Sequence, residues 1–272
     1  MQAAILKTLA YSDIFDYPLR LDEIKKYLIG TKTEEIQIDP KLVGEKDGFY
    51  FLKNREKIVE LRKKRTQWSK KKWKIARAAA NKLKIIPTLK MIGITGTLAM
   101  DNCQEDDDID LLVITGANGL WLTRLLVIFL SYLLGVKRRR PKEKTVKNKT
   151  CFNLFLDENY LKIQPENLFL AHEICQVKPI FDKDNTYNRF IKENKWVLKF
   201  LPNFTPSPTG QDSNFKTNCL LSFFNNIAFK LQYQYMKKKI TNEKVSLHQA
   251  FFHPNNLSDK VQKEFENRLL FL

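Results

Sequence analysis

The feature that most constrains this chain is a pair of short apolar runs joined through a glycine and an acidic loop. The first run, Met91 to Thr95, leads into Gly96-Thr97; the second opens Asp108-Ile109-Asp110 and continues through Leu111, Leu112, Val113 and Ile114 to Thr115. Read as strands, their side chains alternate, so Asp108 and Asp110 share one face while Ile109, Leu111 and Val113 take the other. Two carboxylates held that close repel each other unless a cation lies between them. Hard oxygen donors on a rigid strand suit Mg²⁺, which keeps several waters and takes phosphate oxygens as further ligands. Gly96 lets backbone approach a ligand closely, and the amides of the turn after it, with the Thr97 hydroxyl, can hold phosphate oxygens.

Strand and helix signals alternate around this stretch. Leu120 to Leu134 reads as a helix buried against a sheet. The apolar run to Val136 contains Arg124 and is short for a bilayer span, so no stable membrane insertion is expected. Cys151 to Leu156 reads as a third strand, and helices are expected from Glu166 to Cys175 and from Tyr187 to Leu201. Pro202, Pro206 and Pro208 mark a linker into a helical C-terminal segment, residues 202–272, with helices from about Asn214 to Lys239 and Asp259 to Leu270. Upstream, Ile5, Leu9 and Ile14 share a helical face that Pro18 ends, and a second helix carries Leu21, Ile24 and Leu28. Val43 to Leu52 reads as a hairpin turning at Asp47-Gly48.

Residues 1–60 are therefore read as a small winged-helix-like module. Its recognition-helix position, Thr31 to Leu42, carries Glu34, Glu35, Asp39 and Pro40, which favours packing or protein contact over DNA reading. Residues 61–88 read as a basic helical connector with the stripe Trp73, Ala76, Ala80 and Leu83, ended by Pro87. Residues 89–201 hold the carboxylate pair.

The order of apolar strand, Gly and hydroxyl residue, spacer, then Asp-hydrophobic-Asp-hydrophobic resembles the signature of DNA polymerase beta-like nucleotidyltransferases. The likeness covers about Met91 to Leu156, and the wider chain resembles bacterial nucleotidyltransferase-domain proteins with an N-terminal winged-helix-like segment. The resemblance implies an α+β nucleotidyltransferase fold, a mixed sheet flanked by helices, with Mg²⁺ at Asp108 and Asp110 and nucleotide phosphates near Gly96 and Thr97. It also implies a chemistry: transfer of a nucleoside monophosphate from a nucleoside triphosphate to an acceptor hydroxyl. Thr97 stands where the family usually has Ser or Gly. More consequentially, Asn153 takes the place of the third catalytic carboxylate, and an amide is a poor base. Asp157 lies on the same strand face by simple alternation but too far along the strand. The alternative is a catalytically degenerate nucleotidyltransferase fold serving as a nucleotide sensor or as a scaffold for nucleic acid or protein.

Charge bears on partners. Of the net +17, Lys53 to Lys84 contributes 14 Lys or Arg against two acids, and Lys137 to Lys149 contributes eight against one. Such segments imply a polyanionic neighbour, nucleotide phosphates or nucleic acid, reached through Lys70, Lys71, Lys72 and Arg138 to Arg140. A solvated helix face with a basic loop accounts for them equally well. Cys103, Cys151, Cys175 and Cys219 are widely spaced, which suits reduced thiols in a cytoplasmic protein and no zinc cluster. His172-Glu173 is followed by Gln at 176 and so lacks the second metal-ligating His; it is read as a half-buried helical pair. His248 and His253 have no partners at metal spacing. Neither a P-loop nor a Rossmann glycine fingerprint is present.

Overall fold

A computed structural model describes residues 1–141, 143–206, 219–238, 240, 243–252 and 256–270. The N-terminal part contains α1 (Gln2–Asp13), α2 (Leu21–Lys26) and a hairpin of β1 (Val43–Lys46) and β2 (Phe49–Leu52). Ile5, Leu9, Ile24 and Leu28 are buried together, as the apolar stripes require. Asp47 and Gly48 both adopt positive φ, the backbone that matches a two-residue turn to the twist of its strands. Between α2 and β1 there is no helix. The segment expected to hold a recognition helix is irregular, tied down by Lys25 to Glu34 at 3.0 Å and by the Thr33 amide to Asn203 Oδ1 at 2.9 Å.

Next comes α3 (Lys57–Leu83), one continuous helix of 27 residues that begins inside the N-terminal segment and runs through the connector. The sheet follows: β3 (Leu89–Ile94), a single turn α4 (Gly96–Ala99), β4 (Ile109–Thr115), α5 (Leu120–Leu133) and β5 (Thr150–Asp157). After these come α6 (Leu168–Gln176), β6 (Lys178–Asp182), α7 (Thr186–Glu193), α8 (Cys219–Lys237), β7 (Lys244–Val245), β8 (Gln249–Phe251) and α9 (Asn256–Leu269). The chain is α+β. Apart from the β1-β2 hairpin, the described strands form a six-stranded sheet ordered β6-β3-β4-β5-β8-β7, with β4 and β5 parallel and every other pairing in it antiparallel.

The two faces of the sheet bury separate cores. Ile92, Ile109, Leu111, Val113 and Phe155 pack under α3 and α5 with Ala76, Leu83 and Trp121. Met91, Leu112, Ile114 and Leu156 face the other way, toward Ala171, Ile174 and Phe190 of α6 and α7 and Tyr11 of α1. By period-two alternation Asp108 and Asp110 belong to this second face.

Several expectations change in detail. The C-terminal segment adds strands as well as helix, because β8 pairs with β5 at Leu154 to Phe251. The helix expected over 187–201 ends at Glu193 and resumes as a 3-10 turn over Lys195–Lys199. At the break, Asn194 turns inward to accept from the Ile163 amide and donate to the Leu161 carbonyl. The apolar α5 is buried on one side only: Leu125, Phe129, Tyr132 and Leu133 are exposed. Its N-cap, Gly119, has no side chain, and Asn225 of α8 supplies the missing acceptor to the Trp121 amide at 2.7 Å. Among the described residues no helix is long and apolar enough to cross a membrane. Pro208, His253 and residues 214–218 of the expected C-terminal helix lie outside the described residues.

Candidate metal centre

Asp108 precedes β4 and Asp110 lies in its first turn of pleat, both half-buried, with Ile109 fully buried between them. The strand is anchored beside β3, where the Thr95 amide donates to the Asp110 carbonyl at 3.1 Å. Gly96 follows at φ +60, a left-handed backbone that side chains resist. A Cβ added there meets Asp110 Oδ2 at 3.2 Å. Gly96 is thus required twice over, by its own backbone and by the carboxylate it lies against. Thr97 is exposed, and its hydroxyl turns toward Asp107 Oδ2 at 3.3 Å and Cys103 Sγ at 3.4 Å.

The parallel strand β5 supplies the rest of the group. Asp110 sits opposite Cys151, and one ligand atom each from Asp108, Asp110 and Cys151 lie within 4.8 Å of one another, a group that can hold a metal ion. The register then slips: Leu111 pairs with Phe152 but Leu112 pairs with Leu154, leaving Asn153 as an extra residue. A bulge of this kind re-aims a side chain. Asn153 Nδ2 donates to Asp110 Oδ1 at 2.7 Å. Both residues therefore serve the carboxylates, Cys151 as the potential third donor and Asn153 as the partner that orients Asp110. Burial, and then the charges of Asp110 and Asp108, push the Cys151 thiol well above its ordinary range. The two carboxylates fit a hard cation with retained waters; a thiol held protonated adds little to such a site and favours softer metals instead.

The slip also changes the parity of β5 beyond Asn153. Leu154 and Leu156 now face the carboxylate side, and Phe155 the opposite core. Asp157 keeps step with Phe155 and pairs with Thr115 at the far end of the strand. There it accepts from the amides of Asn118 at 2.6 Å and Asn159 at 3.0 Å, a turn-holding role remote from Asp110.

Cations approach the group in two ways that spacing did not reveal. Arg139 Nη1 donates to Asp108 Oδ2 at 2.8 Å, brought there because its own amide bonds the Thr150 carbonyl at the start of β5. Lys72, on α3 and 1 % exposed, points inward. Its Nζ donates to the carbonyls of Glu105 at 3.0 Å and Asp107 at 2.6 Å and to Asn148 Oδ1 at 3.2 Å, clamping the loop that delivers Asp108. Arg62 and Arg65 are buried too; Arg62 pairs with Glu23 at 2.7 Å, and Arg65 donates to the Phe15 carbonyl at 2.9 Å. The basic stretch of α3 is thus partly internal. Lys70 and Lys71 remain exposed, as does Arg140, whereas Arg138 is half-buried.

A cavity of about 440 Å³ opens beside the group, touching Gly96, Thr97, Asp110 and Asn153 and walled by aromatic residues on α1 and α6 and in the segments that follow α1 and α2. A second, of about 850 Å³, shares Thr95, Asn153, Phe169 and Glu173 with the first. Sequence spacing gave no sign of Tyr11, Phe15, Tyr27, Phe169 or His172 as neighbours of Asp110.

Fold and site together define an α+β protein whose central strands present a carboxylate-rich group able to hold a metal ion. No protein-family model, no curated protein and no solved structure matches the chain.

Proposed function

We propose that this protein is a Mg²⁺-dependent nucleotidyltransferase, moving a nucleoside monophosphate from a triphosphate to an acceptor hydroxyl. The observation that carries the reading is the approach of Gly96 to Asp110. A glycine at left-handed φ ends one strand directly against the carboxylate of its antiparallel neighbour, with a parallel third strand completing the group. That is the order the polymerase beta-like nucleotidyltransferases require, and it supports a fold of that kind. Asp108 and Asp110 would hold the cation, which when bound neutralises phosphate charge and orients the triphosphate for displacement. Asn153 orients Asp110. Arg139, beside Asp108, is placed to turn onto a phosphate oxygen once a cation takes its carboxylate. Glu173 lines the same cavity as Asp110.

The other reading is a binding fold without turnover, a nucleotide sensor or a scaffold for nucleic acid or protein. Two observations favour it: the third position of the group holds an amide and a thiol, and Arg139 already balances Asp108. The exposed Lys70, Lys71 and Arg140 would then be the phosphate contacts. No counterpart of a winged-helix recognition helix supports DNA reading by the N-terminal segment.

Pyrophosphate release from each of the four nucleoside triphosphates, with Mg²⁺ and a cell extract as acceptor source, decides between them. Release by the native chain and none by Asp110→Asn is the expected result. Nucleotide binding with no release from either protein selects the sensor.

A further inference from the structure

One buried group on the same face takes no part in that chemistry. His172, on α6, is 4 % exposed, and its Nε2 has no hydrogen-bond partner among the described residues. Buried polar atoms are nearly always paired in folded proteins, so an unpaired one asks for a partner that binds. The ring is not loose. It stacks on Tyr11 with centroids 4.0 Å apart and planes within 11°, and Tyr27 tilts against it at 5.7 Å. Burial drives the imidazole down to about 3, so the ring is neutral at physiological pH, with one N–H and one bare nitrogen. A neutral ring nitrogen in an apolar wall suits an uncharged hydrogen-bonding group.

His172 and Tyr11 line the cavity that reaches Gly96, Asp110 and Asn153. Phe15, Tyr27, Met100 and Phe169 form further wall. About 440 Å³ is the size of a small-molecule site, and faces and edges of aromatic side chains with a thioether are the surfaces on which a flat ring packs best.

We propose that this cavity binds a flat aromatic ring bearing an uncharged hydrogen-bonding group, which pairs with His172 Nε2 as a small shift of the wall opens that nitrogen, closed to solvent in the empty cavity, while the rest of the ligand extends toward Asp110. Two molecules share that chemistry: the base of the nucleotide, or an aryl group on the acceptor. The choice between these sources rests on the transferase reading; the ring site itself does not.

The full chain is titrated calorimetrically, without divalent metal, with adenosine, guanosine, cytidine, uridine and p-cresol. At least one is expected to bind. His172→Phe, which keeps the stack on Tyr11, weakens it about tenfold, the loss of one hydrogen bond. Tyr132→Ala, exposed on α5 and away from the cavity, leaves it within about twofold. Phe169→Ala, at a half-buried wall position, weakens it independently of His172. Displacement of the ring compound by Mg²⁺ and a nucleoside triphosphate assigns the site to the base, and simultaneous binding assigns it to the acceptor; either outcome supports the site. Binding by none of the five compounds, or undiminished binding in both wall variants, overturns it. Ring binding that depends on His172, with no pyrophosphate released under any condition, leaves this site standing and removes the transferase reading.

Discussion

Asn153 donates its side-chain amide to Asp110 across the β4–β5 boundary, Nδ2 to Oδ1 at 2.7 Å. The residue in the third position of the group therefore fixes the orientation of a carboxylate without adding to its charge. Asn153→Asp replaces a donor by a second anion. In metal-free buffer this variant should lose about 2 kcal/mol of stability, through the lost hydrogen bond and the new repulsion. Millimolar Mg²⁺ or Mn²⁺ should restore most of it, because a cation relieves both. Urea denaturation with and without metal measures this, and an equal loss under both conditions would show that no cation binds beside Asp110.

Gly96→Ala places a Cβ against Asp110 Oδ2 at 3.2 Å in a backbone at φ +60. The left-handed conformation alone costs about 1–2 kcal/mol for an alanine. Thermal unfolding should register that loss, and metal-dependent nucleotide binding should fall further than in Thr97→Ala, whose side chain faces the loop at Asp107.

Arg139→Gln removes the cation that now shares Asp108. Affinity for Mg²⁺ or Mn²⁺ alone should rise roughly two- to fivefold, the worth of a partly exposed ion pair, while affinity for the nucleoside triphosphate should drop. Calorimetry with metal alone and with metal plus nucleotide separates the two effects. A parallel change in both would mean that Arg139 does not exchange between carboxylate and phosphate.

Lys72→Met removes one charged donor from three acceptors, the carbonyls of Glu105 and Asp107 and Asn148 Oδ1, of which the Asp107 carbonyl keeps the Asn148 amide at 3.1 Å. The cost should be about 2 kcal/mol, since the loop loses its charged donor at half-buried acceptors and a buried stem no longer ends on a partner. Lys70→Ala, on the exposed side of the same helix, should leave stability within about 0.5 kcal/mol. Denaturant midpoints of the two variants test whether this basic stretch is internal at Lys72 and solvated at Lys70.

The His172 ring is neutral when folded, with its pKa held at about 3 by burial, against an ordinary value of 6.5. The unfolded chain therefore binds a proton that the folded chain refuses, between those two values. Stability from this group is complete above pH 6.5 and is lost as pH falls toward 3, with a limiting slope of about 1.4 kcal/mol per pH unit. His172→Phe should flatten the acid limb of the stability profile and raise the thermal midpoint, because an unpaired buried nitrogen disappears. An unchanged acid limb would mean that His172 is solvated.

Different elements were legible in the sequence to different depths. The strands expected over Met91 to Thr95 and Ile109 to Thr115 form as Leu89–Ile94 and Ile109–Thr115, and the turn at Asp47-Gly48 closes the hairpin as its φ preferences require. Leu120 to Leu134 is helical, but its apolar run concealed an exposed side at Phe129 and Tyr132, because hydrophobicity alone does not say which neighbours arrive. The irregular stretch between α2 and β1 carried its own warning in Pro40 and the acids around it. β8 was missed: three residues in a segment read as helical become a strand only because β5 offers an unpaired edge.

What the sequence determined by itself is the local pattern: two apolar strands, a glycine ending the first, and two carboxylates on one face of the second. Alternation of period two is a property of the extended backbone and needs no tertiary contact. What only the tertiary structure decided is everything that depends on register and on which surfaces meet. A one-residue slip in β5 turned Asn153 onto Asp110 and carried Asp157 out of step; the pairing of β5 with β4 brought Cys151 beside the acids, and the strand's hold on Arg139 brought a cation to Asp108. Packing of α1 and α6 over that face built an aromatic cavity around His172. These contacts join residues tens to more than a hundred positions apart, and their energy is set by shape and burial in the folded core, which no local spacing records.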